Sequence, residues 1–426
     1  LQSLILRRRS RTPPDTTLID DDIAGRYYQK RAIQKICEEF GKARRKTLLV
    51  MATGTGKTRT AIALSDVLQR CQWAKRVLFL ADRLSLVRQA VNAFKAHLPS
   101  SSPVNLVTDK GVTGRVYVCT YQSMMGLIDA TDGDEATFGV GHFDLIIIDE
   151  AHRSVYQKYG AIFEYFDSLL VGLTATPSSE IDRNTYQLCE LDFGMPTDEY
   201  GLDQAIADGF LVQFKPISVS MRFPREGIRY NELSEEEQAQ WDILDWDETV
   251  QQTGQVDSGA LNSWLFNADT VDKGLKVLMT QGCTSGNGDG IGKTVIFARN
   301  HKHAQFIQDR FDHNYPHLAG KAARVIDNQT SYAQSLIDEF AQPTSELMIA
   351  ISVDMLDTGI DIPEIVNLVF FKPVRSRTKF WQMVGRGTRL CPDLFGPGQD
   401  KQCFWIFDFC QNLEYFLGNR GADGAT

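Results

Sequence analysis

Residues 47–58 read TLLVMATGTGKT, an apolar run that leads into a loop rich in glycine. A helical pattern of apolar residues follows at 60–68, so this part of the chain predicts a strand, a loop and a helix in that order. Glycines let backbone N–H groups surround phosphate oxygens, and the dipole of the following helix favours anions at its first turn. The segment therefore predicts a phosphate-binding loop at the carboxyl end of a strand.

Side chains within this loop are suited to ATP and Mg²⁺. Lys57 can reach the β- and γ-phosphates, and the hydroxyl group of Thr58 can bind the metal ion. Met51 stands where the strict pattern has glycine, which is a minor departure. The loop residues expected to hold the nucleotide are Thr53, Gly54, Thr55, Gly56, Lys57 and Thr58.

Two adjacent acids, Asp149 and Glu150, follow a second apolar run at 145–148. Ligands of α/β sheets bind at the carboxyl ends of the strands. Asp149 is expected to complete the Mg²⁺ site begun by Thr58, and Glu150 to act as the base that orients the attacking water. The ordinary alternative is an acid-rich helix start, but the phosphate-binding loop upstream favours the catalytic interpretation.

Short aliphatic runs alternate with helical patterns in both halves of the chain. They lie at 47–51, 77–80, 116–120, 145–148 and 169–173, and again at 294–298, 347–351, 366–371 and 404–408. Such runs are typical of buried parallel strands. We therefore expect an α/β protein with two tandem lobes, each a mainly parallel sheet flanked by helices.

The predicted segments are a leader at 1–20, an ATP-binding lobe at 21–212, an irregular connector at 213–292 and a second lobe at 293–426. Polar stretches at 99–114 and 129–141 are expected to be surface loops of the first lobe. Gly292-Lys293-Thr294 repeats the end of the phosphate-binding loop but precedes a strand instead of following one. We interpret it as an ordinary loop.

The composition, 43% hydrophobic and 23% charged residues, is that of a globular protein with two or three domains. The eight cysteines form no CxxC pair, which argues against a zinc site or a disulfide framework. No apolar run approaches the roughly 18 residues of a membrane span, so we expect a cytoplasmic protein without a membrane partner. The first residue is Leu, not Met, and we expect a piece of a longer polypeptide.

Charge is distributed unevenly. The formal net charge is −9, yet residues 372–391 contain six basic side chains and no acid. Local Lys and Arg are sufficient for a nucleic-acid groove, so the net charge does not exclude one. Residues 232–248 carry eight acids without Lys or Arg, which usually indicates a solvated surface segment.

The basic segment contains the string QMVGRGTR at 382–389. Arg386 and Arg389 would share one face if this string is helical, with Gln382 one turn further back. An arginine from a second lobe can neutralise the charge that develops during phosphoryl transfer. A basic surface helix is the alternative, but the catalytic residues upstream favour an arginine finger, with the nucleotide between the two lobes.

Further motifs occur in the order found in helicase superfamily 2. They are RYYQ at 26–29, LADR at 80–83, TYQS at 120–123, GLTATP at 172–177, VIFA at 295–298 and SVDMLDTGIDIP at 352–363. The chain thus resembles a helicase or translocase of this superfamily, which implies RecA-like lobes and ATP hydrolysis.

The resemblance also implies roles for single residues. Those expected to contact the nucleotide are Gln29, which would contact the adenine, and Gly359, Asp361 and Gln382. Those expected to couple hydrolysis to lobe movement are His152, Thr174 and Thr176. Those expected to contact nucleic acid are Arg83, Thr120, Gln122, Arg375, Arg377 and Lys379.

Several phrases resemble the motor subunit of type I restriction enzymes in particular. They are YGLDQAIADGFLVQF at 200–214, the SVDMLDTGIDIP motif and the stretch 367–393. This resemblance implies a translocase on double-stranded DNA, with specificity and methyltransferase subunits as partners. Full-length members are endonucleases, but the chain has no [Asp/Glu]-x-Lys tripeptide. We therefore expect the nuclease domain to be absent from this chain.

Two other functions fit part of the pattern. A strand-separating DNA or RNA helicase would share almost every ATPase motif. An ATP-regulated scaffold could bind DNA without moving, although it would not need the full hydrolytic set that this chain retains.

Overall fold

The chain divides after Asp208 into two compact units. The structure is a computed structural model. It describes residues 9–109, 111–129, 131–132, 135–151, 153–176, 178, 181, 183–217, 228–229, 255–256, 267–284, 290–356, 361–374 and 376–418. Within the described residues no helix is long and apolar enough to cross a bilayer.

Parallel strands form the central sheet of the first unit. Its described strands are β1 (Lys46–Met51), β2 (Val77–Ala81), β3 (Pro103–Asn105), β4 (Val116–Thr120), β7 (Leu145–Asp149), β8 (Leu169–Thr174) and β9 (Asp198–Tyr200). Their order is β3-β4-β2-β7-β8-β1-β9, and every pairing is parallel. The hairpin of β5 (Thr131–Asp132) and β6 (Glu135–Ala136) is separate.

Helices cover the sheet of the first unit. They are α1 (Asp21–Ala24), α2 (Tyr27–Gly41), α3 (Lys57–Arg70), α4 (Leu84–His97), α5 (Tyr121–Ile128), α6 (Arg153–Tyr165), α7 (Arg183–Leu188) and α8 (Leu202–Ala207). The central strands are buried along their whole apolar length, as expected for a parallel sheet covered on both faces. All strand carboxyl ends therefore meet at one edge, where the loops are.

The edge strand β9 depends on partners far away in the sequence. Asp198 is almost fully buried and accepts hydrogen bonds from Arg31 at 3.1 Å and Lys35 at 2.6 Å, both on α2. A buried carboxylate needs such partners to offset its lost hydration. The strand pairs with β1 in the register Leu49 with Asp198.

Two predictions for the first unit are partly wrong. The predicted loop at 99–114 contains a 3₁₀ turn, Pro99–Ser101, and the strand β3, because Val104 is buried and the backbone pairs with β4. In the predicted loop at 129–141, Phe138 is buried with its ring 5.4 Å from that of Phe143.

The described part of the predicted leader also packs onto the first unit. The N–H group of Thr12 donates to the carbonyl of Cys71 at 3.2 Å, and the indole N–H of Trp73 donates to the carbonyl of Thr12 at 2.9 Å. A 3₁₀ turn, Pro14–Thr16, follows. These residues belong to the fold of the unit.

The second unit has its own parallel sheet. The described strands are β10 (Gln213–Ile217), β13 (Thr294–Phe297), β14 (Ala323–Val325), β15 (Ile349–Ser352), β16 (Asn367–Phe370) and β17 (Cys403–Asp408). Their order is β10-β17-β16-β13-β15-β14. A short pair, β11 (Ile228–Arg229) and β12 (Gln255–Val256), is antiparallel. The helices are α9 (Ala268–Gln281), α10 (His301–Asn314), α11 (Ala333–Ala341), α12 (Arg377–Val384) and α13 (Asn412–Gly418).

The predicted connector at 213–292 differs from the structure at both of its ends. Strand β10 pairs with β17, and α9 contributes Val271, Leu275 and Leu278 to a core cluster of the second unit. The sequence pattern does not indicate strand β10, because β10 is an edge strand whose residues are mostly polar or half-exposed. The two parallel sheets themselves were predicted correctly.

Close packing of α9 depends on Gly274. A Cβ atom added at Gly274 would lie 2.4 Å from Cζ of Phe371. The Phe371 ring is stacked on that of Phe409, with centroids 4.5 Å apart and an interplanar angle of 8°. The Phe409 Cζ atom would itself lie 3.2 Å from the added Cβ, so both stacked rings stand in the way of a larger residue.

We predict that Gly274→Ala lowers the free energy of unfolding by about 1–3 kcal/mol, because the extra methyl overpacks this core. Gly126→Ala is the matched control: Gly126 is an exposed residue of α5, and a Cβ there meets no atom within 4 Å. That control should raise helix stability by about 0.5–1 kcal/mol. Urea unfolding of both variants is the measurement, and an unchanged Gly274→Ala protein would contradict the packing described.

Candidate active site

The carboxyl ends of β1, β7 and β8 bring the predicted catalytic residues of the first unit to one edge. Strand β8 lies between the other two and pairs with both, with Asp149 opposite Leu173 and Val50 opposite Thr174. Because all three strands are parallel, the loops that follow them leave the sheet side by side.

The loop after β1 has the conformation that a phosphate-binding loop requires. Gly54 and Gly56 have φ angles of 88° and 89°, a left-handed region that residues with a Cβ rarely adopt. Gly56 is the N-cap of α3, so the first turn of that helix begins at Lys57. A Cβ at Gly56 would lie 2.5 Å from Nε2 of Gln29, so a larger residue would displace the glutamine.

Gln29 lies beneath this loop. Its amide nitrogen donates to the carbonyl oxygens of Thr55 at 3.2 Å and Gly56 at 3.4 Å, and the hydroxyl of Tyr28 donates to Thr55 at 2.8 Å. Both side chains are buried. In this structure Gln29 supports the phosphate-binding loop, and its contact with adenine stays a prediction.

Lys57 and Glu150 face each other across the site. The ammonium Nζ lies 3.4 Å from the carboxylate Oε1, and the two side chains are 13% and 14% exposed. Pairing in this protected position is stronger than at an open surface, because little water screens it. The two residues predicted from separate motifs are thus brought into direct contact.

Glu150 reaches this position through an unusual backbone angle. Its φ is 57°, in the left-handed region where a non-glycine residue stores strain, often at functional sites. The following residue, Ala151, donates its N–H to the carbonyl of Leu173 at 2.8 Å. This bond to the neighbouring strand holds the turn that directs Glu150 toward Lys57.

Asp149 ends β7 beside Glu150. Loss of hydration and the neighbouring Glu150 raise the pKa of Asp149 to about 7, and Lys57 acts in the opposite direction. The hydroxyl of Tyr121 donates to the backbone carbonyl of Asp149 at 2.6 Å and fixes the strand end. A carboxylate held at this pKa gains from any cation placed next to it.

The predicted coupling residues follow β8. Thr174 and Thr176 are both buried, and the N–H of Thr176 donates to Oγ1 of Thr174 at 3.1 Å. A little further on, Ser178 donates its hydroxyl to Glu199 of β9 at 2.8 Å. The segment is therefore tied to both its own strand and the sheet edge. His152 lies outside the described residues.

The predicted nucleic-acid contacts of the first unit also start helices at this edge. Arg83 is the N-cap residue of α4 and lies 3.6 Å from the Asp82 carboxylate. Thr120 is buried, and its hydroxyl accepts the N–H of Ser123 at 3.1 Å, so it caps α5. Gln122 is exposed.

In the second unit, Gln382 and Arg386 are buried. The segment that carries the two arginines is not helical, so the condition for a shared helical face is not met. Helix α12 ends at Val384. Arg386 lies in the turn that follows, and Arg389 lies in the irregular chain beyond that turn. A Cβ at Gly387 would come within 2.2 Å of the Phe404 ring. This close approach, which only glycine permits, draws the chain against β17.

Arg389 forms an ion pair with Asp361 and also donates to the carbonyl of Gly385 at 3.3 Å. Lys379 is exposed and lies 3.3 Å from the Asp354 carboxylate. Arg377 begins helix α12. Gly359 and Arg375 lie outside the described residues.

Sequence reasoning missed the contact between Tyr28 and Tyr200, which supports the site. The ring of Tyr200 stacks on that of Tyr28 at 3.8 Å and 10°, and the Tyr200 carbonyl accepts the N–H of Ala52 at 3.0 Å. Tyr28 stood within a quoted motif, but nothing local pairs it with a residue 172 positions later.

Comparison with known proteins agrees with both units. The family model "Type III restriction enzyme, res subunit" matches residues 22–179, and "Helicase conserved C-terminal domain" matches residues 275–391. A fragment of a putative HsdR subunit of a type I restriction enzyme from Vibrio vulnificus YJ016 superposes with a TM-score of 0.66. It is 25% identical and covers 98% of this chain and 70% of that one. The two units are thus similar to the motor domains of helicase superfamily 2, in the same order along the chain.

Within this class the chain is similar to endonuclease subunits of type I restriction enzymes from Escherichia coli. It is 33% identical to the EcoKI subunit of strain K12, over 90% of this chain and 34% of that protein. It is 30% identical to the EcoAI subunit, over 94% of this chain and 48% of that protein. The chain thus spans between a third and a half of the length of these relatives.

We predict that Lys57→Ala abolishes both ATP binding and turnover, because it removes the cation that holds the phosphates. Glu150→Gln should retain ATP binding and lose turnover by about 100-fold or more, since only the water-orienting carboxylate is lost. Nucleotide titration beside a turnover assay separates the two failures.

Lys46→Ala is the matched control. Lys46 begins the same strand, β1, and pairs with Glu190 at the surface at 2.8 Å. Loss of such a pair should change turnover by less than about twofold. Normal turnover in Glu150→Gln would remove Glu150 from its assigned role.

Proposed function

We propose that this chain is the ATP-driven motor of a type I restriction endonuclease subunit and that it moves along double-stranded DNA. The observation that carries the proposal is the similarity to the EcoKI subunit, which extends over 90% of the chain. The contact between Lys57 and Glu150 supports the ATPase part, because it places a phosphate ligand and a water-orienting carboxylate together.

Phosphate binding would change the partner of Lys57. In the proposed cycle its ammonium moves from Glu150 to the β- and γ-phosphates, while the N–H groups of the glycine loop surround the same oxygens. Glu150 is then released to orient the attacking water. Because Lys57 and Glu150 pair with each other before nucleotide binds, Glu150 would become available to orient water only after binding.

Thr58 and Asp149 are the proposed Mg²⁺ ligands, and their oxygen donors suit this ion. No cluster of three or more His, Cys, Asp or Glu side chains with metal-binding geometry occurs in the described ranges. Two protein ligands fit Mg²⁺, which usually keeps several waters and takes the rest from phosphates. Bound there, the ion would neutralise charge on the phosphate oxygens.

Arg386 and Arg389 are the proposed arginine fingers, and Gln382, Gly359 and Asp361 the proposed nucleotide contacts of the second unit. An arginine that meets the transferred phosphoryl group only in the transition state raises turnover more than ground-state affinity. In the proposed cycle, the ion pair with Asp361 holds the Arg389 side chain in place and partly neutralises its charge until the transition state forms.

DNA would be held mainly through its phosphates. The proposed contacts are Arg83, Thr120, Gln122, Arg375, Arg377 and Lys379. Such contacts position a protein on the duplex without reading its sequence, and they weaken steeply with salt. Sequence choice would then come from specificity and methyltransferase subunits, in the cytoplasm where these partners meet DNA.

A strand-separating helicase is the second candidate. It is favoured by a 22% identity to the putative ATP-dependent helicase IRC3 of Saccharomyces cerevisiae, over 86% of this chain. This 22% identity is lower than the 33% and 30% identities to the two restriction subunits. We therefore keep translocation without unwinding as the proposal.

We predict that Arg389→Ala and Arg386→Ala lower turnover by about 100-fold with little change in ATP affinity, because their main contact forms in the transition state. Turnover and nucleotide titration are measured together. Loss of nucleotide binding as severe as in Lys57→Ala would contradict the finger assignment.

We predict that the motor, tethered to DNA or assembled with its partner subunits, displaces the third strand of a triplex when ATP is supplied. It should release no strand from a forked duplex, because movement along the duplex does not need separated strands. Lys57→Ala is the control and should displace nothing. Efficient unwinding of the fork would favour the helicase alternative.

A further inference from the structure

Lys401 is a buried lysine just before β17, and its side chain is 2% exposed. Its Nζ donates to the carbonyl oxygens of Pro363 at 2.8 Å and Ile365 at 2.6 Å. The Phe404 ring covers it, with its centroid 5.9 Å from Nζ. Burying an ammonium group is costly unless it is bonded, so this position requires those two carbonyls.

The backbone of the same residue bonds a second segment. The N–H of Lys401 donates to the carbonyl of Cys391 at 2.9 Å. Cys391 lies two residues after Arg389, and Pro363 lies two residues after Asp361. Lys401 thus joins the segment that carries Asp361 to the segment that carries Arg389, and these two side chains form an ion pair.

We propose that Lys401 is a positioning residue for ATP hydrolysis, holding Asp361 and Arg389 at a fixed separation through its carbonyl contacts. The inference rests on the proposed ATPase function and adds a residue outside the superfamily motifs quoted above. A displacement of about 1 Å in a catalytic group can change a rate by as much as 100-fold, so a modest shift of either segment would be measurable.

The N–H groups of the side chain matter more than its charge. Burial lowers the pKa of Lys401 to about 7, and a neutral amine still carries two N–H donors, one for each carbonyl. Methionine has a similar length and no donor. Lys401→Met therefore removes the contacts while filling most of the space.

Lys293 is a matched control within the same unit. It is 3% exposed, its Nζ donates to the carbonyls of Phe340 and, at 2.7 Å, Gln342, and its Nζ lies 5.3 Å from the Phe340 ring centroid. These carbonyls belong to the end of α11. Among the residues that the structure describes, its side chain bonds no segment that carries a predicted site residue.

The experiment compares steady-state ATP hydrolysis by the unmodified chain, Lys401→Met, Lys293→Met, Arg389→Ala and the double variant Lys401→Met with Arg389→Ala. Lys401→Met is expected to lower kcat about tenfold with a KM for ATP changed less than about threefold. Lys293→Met should keep kcat within about twofold, although its midpoint of thermal unfolding should fall by about as much as that of Lys401→Met. The double variant should be no slower than Arg389→Ala alone, because Lys401 acts through that segment.

Equal losses of kcat in Lys401→Met and Lys293→Met would overturn the proposal, as would a full multiplicative loss in the double variant. If Lys401→Met does not fold, Lys401→Gln replaces it. Its amide can still bond a buried carbonyl, but its stem is one bond shorter, so it cannot hold both segments at the same separation and should show the same loss of kcat in the comparison with Arg389→Ala. An unmodified chain that hydrolyses no ATP would overturn the proposed function together with this inference. Hydrolysis without the Lys401 effects would overturn this inference alone.

Discussion

Strand β1 lies between β8 and β9, and hydrogen bonds from both neighbours fix the point at which it ends. The register sets Val50 opposite Thr174 on one side and Met51 opposite Tyr200 on the other. The strand is buried on both faces throughout its apolar length, and its side chains Leu48 and Val50 pack into the core of the unit, which also holds the strand in place. The phosphate-binding loop is therefore placed by the core of the sheet.

Each unit pairs a predicted catalytic cation with a carboxylate of the same predicted site. Lys57 contacts Glu150 in the first unit, and Arg389 contacts Asp361 in the second. In the proposed cycle, phosphate oxygens compete with these carboxylates for the cations. When nucleotide binds, each cation would exchange its carboxylate partner for phosphate oxygens. The position of the proposed catalytic side chain would then depend on whether nucleotide is bound. Glu150 reaches its partner through a strained backbone conformation, which is common at functional sites.

Sequence reasoning found those parts of the fold whose signal is local. Apolar runs such as 145–148 become central strands because both faces of a parallel sheet are buried. Two edge strands were not predicted. In β9 the polar Asp198 is satisfied by the distant Arg31 and Lys35, and β10 consists mostly of polar or half-exposed residues. The path of the chain at Arg386 was also not predicted. It depends on the packing of Gly387 against the Phe404 ring, which lies 17 positions later in the sequence.

The same distinction between local sequence signals and contacts of distant residues applies to the candidate site. Lys57, Asp149 and Glu150 were predictable because motif and strand end coincide. The support given by Tyr28, Tyr200 and Lys401 comes from contacts across the fold, which no single stretch reveals. Roles that need a bound ligand, such as adenine contact by Gln29, stay predictions.

Nucleic-acid stimulation of ATP hydrolysis tests the central claim most directly. Turnover by the chain is measured alone and with duplex DNA, single-stranded DNA or RNA at matched nucleotide concentration and low salt, where phosphate contacts are strongest. The account predicts that duplex DNA stimulates hydrolysis more than either single strand. Stimulation by RNA but not by duplex DNA, or no hydrolysis under any condition, would contradict it.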